Sequence, residues 1–258
     1  MKELAKSTLK RAGLYSGLQE ARRRIRRSLP RELRRRNAAA AFYSQFIRDG
    51  DLCFDVGANI GNRTEIFLML GARVVCIEPQ AESLERLGRR FGKNPRVLVV
   101  DKALGDKEGF GQLYVCDKAS AVSTMSTSWV EQSRFSKDFA WRKIQPVALT
   151  TLDALIRGYG TPTFCKIDVE GFEENVLAGL NQPLPHLSFE FSREFFDAAV
   201  RCTDRLSTIG DVKFNFSVGE SMRLLLNAWV GPSELFKALR LIEDDLLWGD
   251  IYAKFEQG

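Results

Sequence analysis

The chain has 258 residues, 45% hydrophobic and 28% charged, which suits one sizeable α/β domain with a small appendage and excludes disordered and fibrous classes. No apolar run approaches the roughly 18 to 20 residues of a membrane span, and the basic N-terminus lacks a signal peptide's apolar core, so cytoplasmic residence is expected. The net charge of +5 is uneven, because residues 1–36 carry 13 Lys and Arg against 3 Asp and Glu and the remainder 25 against 30.

In chain order, the first element is a basic arm, placed at residues 1–48. In "LQEARRRIRRSLPRELRRRN", Leu18, Ala21, Ile25 and Leu29 recur at helical spacing with arginines between them, and Pro30 interrupts or restarts the pattern. It reads either as a packed helix with a solvated arginine face or as a helix touching an anionic membrane surface or nucleic acid. No aromatic residue interleaves the arginines, which weighs against single-stranded RNA.

Residues 49–258 form the expected main domain. "DLCFDV", "ARVVCIEP" and "RVLVVDKAL" read as strands, with helix-like "EIFLML" and "AESLERLGRRF" between them. That alternation predicts a parallel, doubly wound sheet. "GQLYVC" and "QPVAL" read as accessory strands around "DKASAVSTMSTSW", a polar loop long enough to serve as a lid or binding segment. "TTLDALIRGYG" predicts a helix capped by Thr150 or Thr151, "TFCKIDVEG" a fourth strand, "FEENVLAGL" a helix and "HLSFEFS" a fifth strand. The helix "REFFDAAVRCTDRLSTIG" and the strands "VKFNFSV" and "GDIYAKFEQ", with a helix near "SELFKALRLIED" between them, complete the chain.

In such a sheet ligands bind outside the carboxyl ends of the strands. The first strand ends in "DVGANIG", where Gly57 and Gly61 permit a tight turn and close approach. The spacing is not the Gly-x-Gly-x-x-Gly of a dinucleotide site, and Asp55 would repel a pyrophosphate. Glu78 ends the second strand, placed to accept both hydroxyls of a ribose or to cap the next helix, and Asp101 ends the third beside an expected adenine. A nucleoside with a cationic tail suits these acids, and S-adenosylmethionine is one. At the fourth strand end, Lys166, Asp168 and Glu170 share one face; on the fifth, Glu190 lies near the functional end and His186 at the opposite one. Lys166 reads equally as a partner for a nearby carboxylate, and Glu170 as a cap for the helix beginning at Phe172. Five scattered cysteines read as reduced packing residues, and the lack of a CxxC pair together with a single histidine, His186, speaks against a Cys/His zinc site.

"FDVGANIGNRT", "VVCIEPQAESLERL", "VVDKALGDKEG", "TTLDAL" and "KIDVEGFEENVLAGL", in that order over residues 50–195, resemble the FkbM family of S-adenosylmethionine-dependent methyltransferases. The resemblance implies a class I methyltransferase (Rossmann-like) α/β fold, a seven-stranded mostly parallel sheet with helices on both faces and its last strand antiparallel. It implies Asp55, Gly57, Asn59 and Gly61 around the methionine part of the cofactor, Glu78 on the ribose and Asp101 near the adenine. It also implies O-methylation of a hydroxyl on a sugar, glycan, glycolipid or secondary metabolite. Asp168, Glu170 or Glu190 could take the acceptor's proton, or Asp168 and Glu190 could hold Mg2+. The competing functions are an RNA methyltransferase using the arm and a non-catalytic adenosine-binding scaffold.

Overall fold

A computed structural model describes residues 30–116 and 118–256, so the arm pattern from Leu18 to Leu29 lies outside the described residues. The chain divides into two units between Phe42 and Tyr43. The described part of the first lies in a helix, α1 (Pro30–Tyr43), whose last residue is the first of the second unit. Proline suits its first turn, where no backbone N–H is needed, and the run of alanines at 38–41 favours the rest.

The second unit holds a seven-stranded sheet of order β3-β2-β1-β7-β8-β10-β9. The strands are β1 (Leu52–Val56), β2 (Arg73–Ile77), β3 (Val97–Val100), β7 (Phe164–Ile167), β8 (His186–Ser192), β9 (Val212–Val218) and β10 (Trp248–Phe255). The first five are parallel, and β10 inserts antiparallel between β8 and β9. The helices are α2 (Asn62–Met69), α3 (Ala81–Phe91), α4 (Thr127–Gln132), α5 (Leu152–Tyr159), α6 (Glu173–Ala178), α7 (Phe196–Ile209) and α8 (Pro232–Arg240). Central strands such as β7 are buried along their whole length, as a sheet covered on both faces requires. Each crossover returns the chain to the same edge, which brings the ends of β1, β2, β7 and β8 together.

The expected accessory strands form a second sheet. β5 (Gly109–Val115) pairs antiparallel with β6 (Lys143–Thr150), and a two-residue strand, β4 (Ala103–Leu104), pairs parallel with β6. The run "RVLVVDKAL" is therefore two strands in two sheets rather than one. Leu113, Val115 and Val147 pack with Ala103 into a small separate core, and that burial draws the chain out of the main sheet after Val100. Thr151, one of the two expected caps, accepts the Ala154 N–H at 3.1 Å. All five cysteines are free and buried. His186 opposes Phe164 at the start of β8, away from the functional edge, and packs against Phe46.

Candidate active site

The turn after β1 needs the left-handed backbone region at three residues, Gly57 at φ +75°, Asn59 at φ +47° and Gly61 at φ +74°. At Gly57 a side chain is also excluded by space, because a Cβ would overlap the carbonyl oxygen of Asp168. Gly61 faces the other way, and a Cβ there would meet the rings and methyls of Phe91 and Leu87 on α3, 2.9 Å from Leu87 Cδ2. One glycine thus lets two strand ends approach, and the other lets α3 pack on the start of α2.

Asp55 is buried and spends its carboxylate on α2, its Oδ2 accepting the Thr64 N–H at 2.8 Å and hydroxyl at 2.5 Å. Burial pushes its carboxyl up, against those two bonds. The acid expected around a cofactor's methionine therefore ties the turn to the helix.

Beside the turn opens a pocket with Gly57, Asn59 and Glu78 in its wall. Asp55, Gly61 and Asp101 are not among its lining residues; Asp101 is exposed, and Lys102, Ala103 and Leu104 reach the pocket instead. The early departure of the chain into β4 exchanges the expected acid for these three. Glu78 accepts the Asn59 N–H on one carboxylate oxygen and the Gln80 N–H on the other, both at 2.7 Å. Burial above all raises its pKa to about 7; these bonds oppose the shift, and Asp55 and Asp101 add to it. Each oxygen keeps a lone pair for a further donor.

The polar loop after β5 closes over this pocket. Ser120 donates to Asn59 Oδ1 at 3.1 Å, Thr124 donates to the Glu170 carbonyl at 2.7 Å, and Met125 joins the lining. Its length marked the segment as a lid or binding segment without showing which residues would reach the site.

On the opposite wall, Asp168 and Glu170 line the pocket, and their carboxylate oxygens lie within 4.8 Å of one of Glu190's. Glu170 sits at φ +56° and does not cap the next helix, whose N-cap Phe172 makes no side-chain cap bond; Glu173 instead ties down the turn, accepting the Val169 and Gly171 N–H groups at 3.0 and 3.3 Å. Burial, then repulsion from Asp168 and Glu173, raises the Glu170 pKa well above the ordinary range; burial, then Glu170 and Asp168, does the same for Glu190.

Behind Asp168 lies Lys166, 1% exposed, its Nζ donating to Asp168 Oδ2 at 3.2 Å and Asp250 Oδ1 at 2.9 Å. Burial disfavours its charge, but Asp168 and Asp250 outweigh burial and hold its pKa above the usual lysine value. Asp250, which the sequence did not single out, carries only the signal of an acid near the start of a terminal strand.

The methyltransferase FkbM domain model matches residues 55–215, more than half of the chain. The chain belongs to the FkbM family of S-adenosylmethionine-dependent methyltransferases. The FkbM match runs from the end of β1 into β9 and so includes both walls of the pocket. No curated protein sequence matches this FkbM chain. Among solved structures, it resembles the precorrin-6y C5,15-methyltransferase of Geobacter metallireducens, with 10% identity over 84% of this chain and 86% of that one and a TM-score of 0.46. A TehB-like S-adenosylmethionine-dependent methyltransferase from Corynebacterium glutamicum matches at 12% identity, over 84% and 87% of the two chains, with a TM-score of 0.42. An rRNA methylase from Streptococcus thermophilus matches at 10% identity, over 85% and 95%, with a TM-score of 0.42. None of the described helices is long and apolar enough to cross a membrane.

Proposed function

We propose that the protein methylates a hydroxyl on a small molecule or glycan, with residues 49–258 as the catalytic domain and residues 1–48 as a basic accessory arm. The observation that carries this reading is one pocket with two unlike walls: the glycine turn with Glu78 on one side, and three carboxylates meeting at Asp168, Glu170 and Glu190 on the other.

S-adenosylmethionine fits the first wall. The buried Glu78 carboxylate has a spare acceptor on each oxygen for the two ribose hydroxyls, and Ile77, Leu104 and Leu113 offer apolar surface to an adenine. When bound, the cofactor supplies an electrophilic methyl group on sulfur, open to in-line attack. The chain aligns the acceptor, excludes water beneath the Ser120–Met125 segment, and receives the hydroxyl proton. A carboxylate held at a raised pKa by burial and like charge is a better base near neutrality than an exposed one, which favours Glu170 and Glu190 for that step. Asp168, fixed by Lys166, is the orienting acceptor of the three. The acidic lining and the net negative charge of the chain beyond residue 36 disfavour RNA as acceptor.

The closeness of the three carboxylates favours one second reading, in which Asp168 and Glu190 hold Mg2+ that orients the acceptor hydroxyl, with Glu170 completing an all-oxygen donor set. Transfer of labelled methyl from S-adenosylmethionine to a panel of hydroxylated compounds tests both. Asp168→Asn is expected to bind S-adenosylhomocysteine like the wild type while turnover falls about 100-fold or more. Full activity in the variant would remove Asp168 from the site, and wild-type turnover unaffected by EDTA would remove the metal.

Glu78 adds a pH dependence. Its pKa is raised to about 7, so in the ligand-free protein its carboxyl stabilises the fold below the unfolded carboxylate pKa, and that contribution is lost as pH rises through about 7. Cofactor binding has the opposite sign, because the ionised form accepts the ribose hydroxyls better. Affinity for S-adenosylhomocysteine is expected to rise between pH 6 and 8, and Glu78→Gln to weaken binding and flatten that rise; an unchanged slope in calorimetry would remove Glu78 from the ribose.

A further inference from the structure

β5 is an outer strand of the small sheet, paired with β6 on one side and, on the other, only where Tyr114 meets Thr124 of the lid. There the Tyr114 N–H donates to the Thr124 carbonyl at 2.8 Å and the Thr124 N–H to the Tyr114 carbonyl at 3.1 Å, so the backbone groups of Tyr114 face away from β6. Backbone groups alternate in direction along a strand, and the register with β6 is unbroken from Gly109 to Val115. The N–H and carbonyl groups of Phe110 and Gln112 therefore face outward as well, and among the described residues no backbone partner meets them.

Natural sheets blunt such an edge with lysine, proline, a bulge or an inward-pointing charge. Residues 109–113, Gly-Phe-Gly-Gln-Leu, carry none of these. Phe110 is 86% exposed: Ala148, opposite it on β6, is too small to cover the ring, and no strand lies on its other side. Ile144 and Pro146 are exposed on the same face of β6.

We propose that this edge pairs with the same edge of a second copy of the chain, antiparallel about a two-fold axis at Gly111. In that register Phe110 lies opposite the partner's Gln112 and Gln112 opposite the partner's Phe110, each pair exchanging two backbone hydrogen bonds. The bridge to Thr124 occupies Tyr114 and limits the pairing to residues 109–113, a stretch symmetric about Gly111. The two Phe110 side chains become diagonal neighbours on one face, about 7 to 8 Å apart at Cα and within reach of each other. Charge favours a second copy as the occupant. Before β5 stand the exposed Asp106, Lys107 and Glu108, two acids against one base; around its far end stand the exposed Lys118, Arg142 and Lys143, three bases against Asp117 in the sequence. Antiparallel pairing sets each acidic end against the partner's basic end, whereas an anionic membrane would meet both. The arm pattern from Leu18 to Leu29 has helical spacing, which does not suit an added strand. None of this depends on the methyltransferase reading, although the paired stretch ends at the bridge that ties β5 to the lid of the pocket.

Sedimentation equilibrium of the full chain over about 1 to 300 µM tests the proposal, with a reversible dimer dissociating at about 10 to 100 µM expected from so short an edge. Phe110→Glu, at a site open to solvent in the monomer, is expected to weaken the dimer about 100-fold or more, because the two-fold axis counts the substitution twice. Gln112→Pro removes an outward N–H and leaves the ladder with β6 intact, so it should give a monomer that melts within about 2 °C of the dilute wild type. Glu108→Lys is expected to weaken the dimer about tenfold at low salt and much less at high salt. A wild type that stays monomeric throughout overturns the proposal. So does a dimer indifferent to both Phe110→Glu and Gln112→Pro, which places the contact elsewhere, or one that Glu108→Lys leaves unchanged at low salt. A monomer that co-sediments with phosphatidylglycerol vesicles, and loses them in Phe110→Glu, overturns it too by assigning the face to lipid.

Discussion

Replacing Gly57 by alanine is expected to lower the melting temperature by about 10 °C and to abolish binding of S-adenosylhomocysteine. Two effects add at this residue. A φ of +75° costs a side-chain-bearing residue about 1 to 2 kcal/mol. The new Cβ would also overlap the Asp168 carbonyl, a backbone atom that no rotamer change can move aside. Relief requires β1 and β7 to separate at the end where Gly57 and Asp168 both line the pocket, so stability and binding fall together. About 3 kcal/mol or more is expected, among the larger effects of single substitutions. Gly50 supplies the control, because it has a similar φ of +82° with nothing within 4 Å of its built Cβ. Gly50→Ala should cost only the conformational part, about 1 kcal/mol, and keep full binding. Equal losses in the two variants, read by urea unfolding and calorimetry, would refute the role of the Asp168 carbonyl.

Lys166→Met is expected to destabilise the protein by about 3 to 5 kcal/mol, because it leaves Asp250 charged and buried without the ammonium that hydrogen-bonds it, and only the longer-range attraction of Arg63 remains. Asp250 is 7% exposed, and its remaining side-chain contact is the Tyr252 hydroxyl at 3.3 Å. Asp168 is more open, its side chain 38% exposed, so water can replace the lysine there. The asymmetry gives the argument a second variant: adding Asp250→Leu to Lys166→Met removes both buried charges and is expected to recover most of the lost stability. Turnover should stay low in that double variant, because Asp168 still lacks the group that fixes it. A double variant no more stable than Lys166→Met would show that the lysine's packing, rather than its charge, holds this part of the sheet.

The alternation of apolar runs and helical patterns from Asp51 onward sufficed for the α/β class, since strand and helix periods are local properties of the chain. The ordered motifs from "FDVGANIGNRT" to "KIDVEGFEENVLAGL" sufficed for the family. The gathering of Asp168, Glu170 and Glu190 was legible too, because a parallel sheet brings successive strand ends to one edge whatever else it does. The short β4 was not, because two residues carry no periodicity and their strand exists only through its pairing with β6.

What the sequence determined by itself is thus the order and type of elements, the glycine turn, and the strand ends that carry acids. All of these follow from spacing along the chain. What only the tertiary structure decided is where each side chain spends its bonds. Asp55 turns to Thr64 rather than to the pocket, and Lys166 finds Asp250 from 84 residues away. The reason is physical: a carboxylate or an indole at a given position has the same local propensity whether it faces water, a helix amide or a ligand. The choice is made by burial, which charges a free-energy cost to every unbonded polar group and is fixed only when distant elements pack.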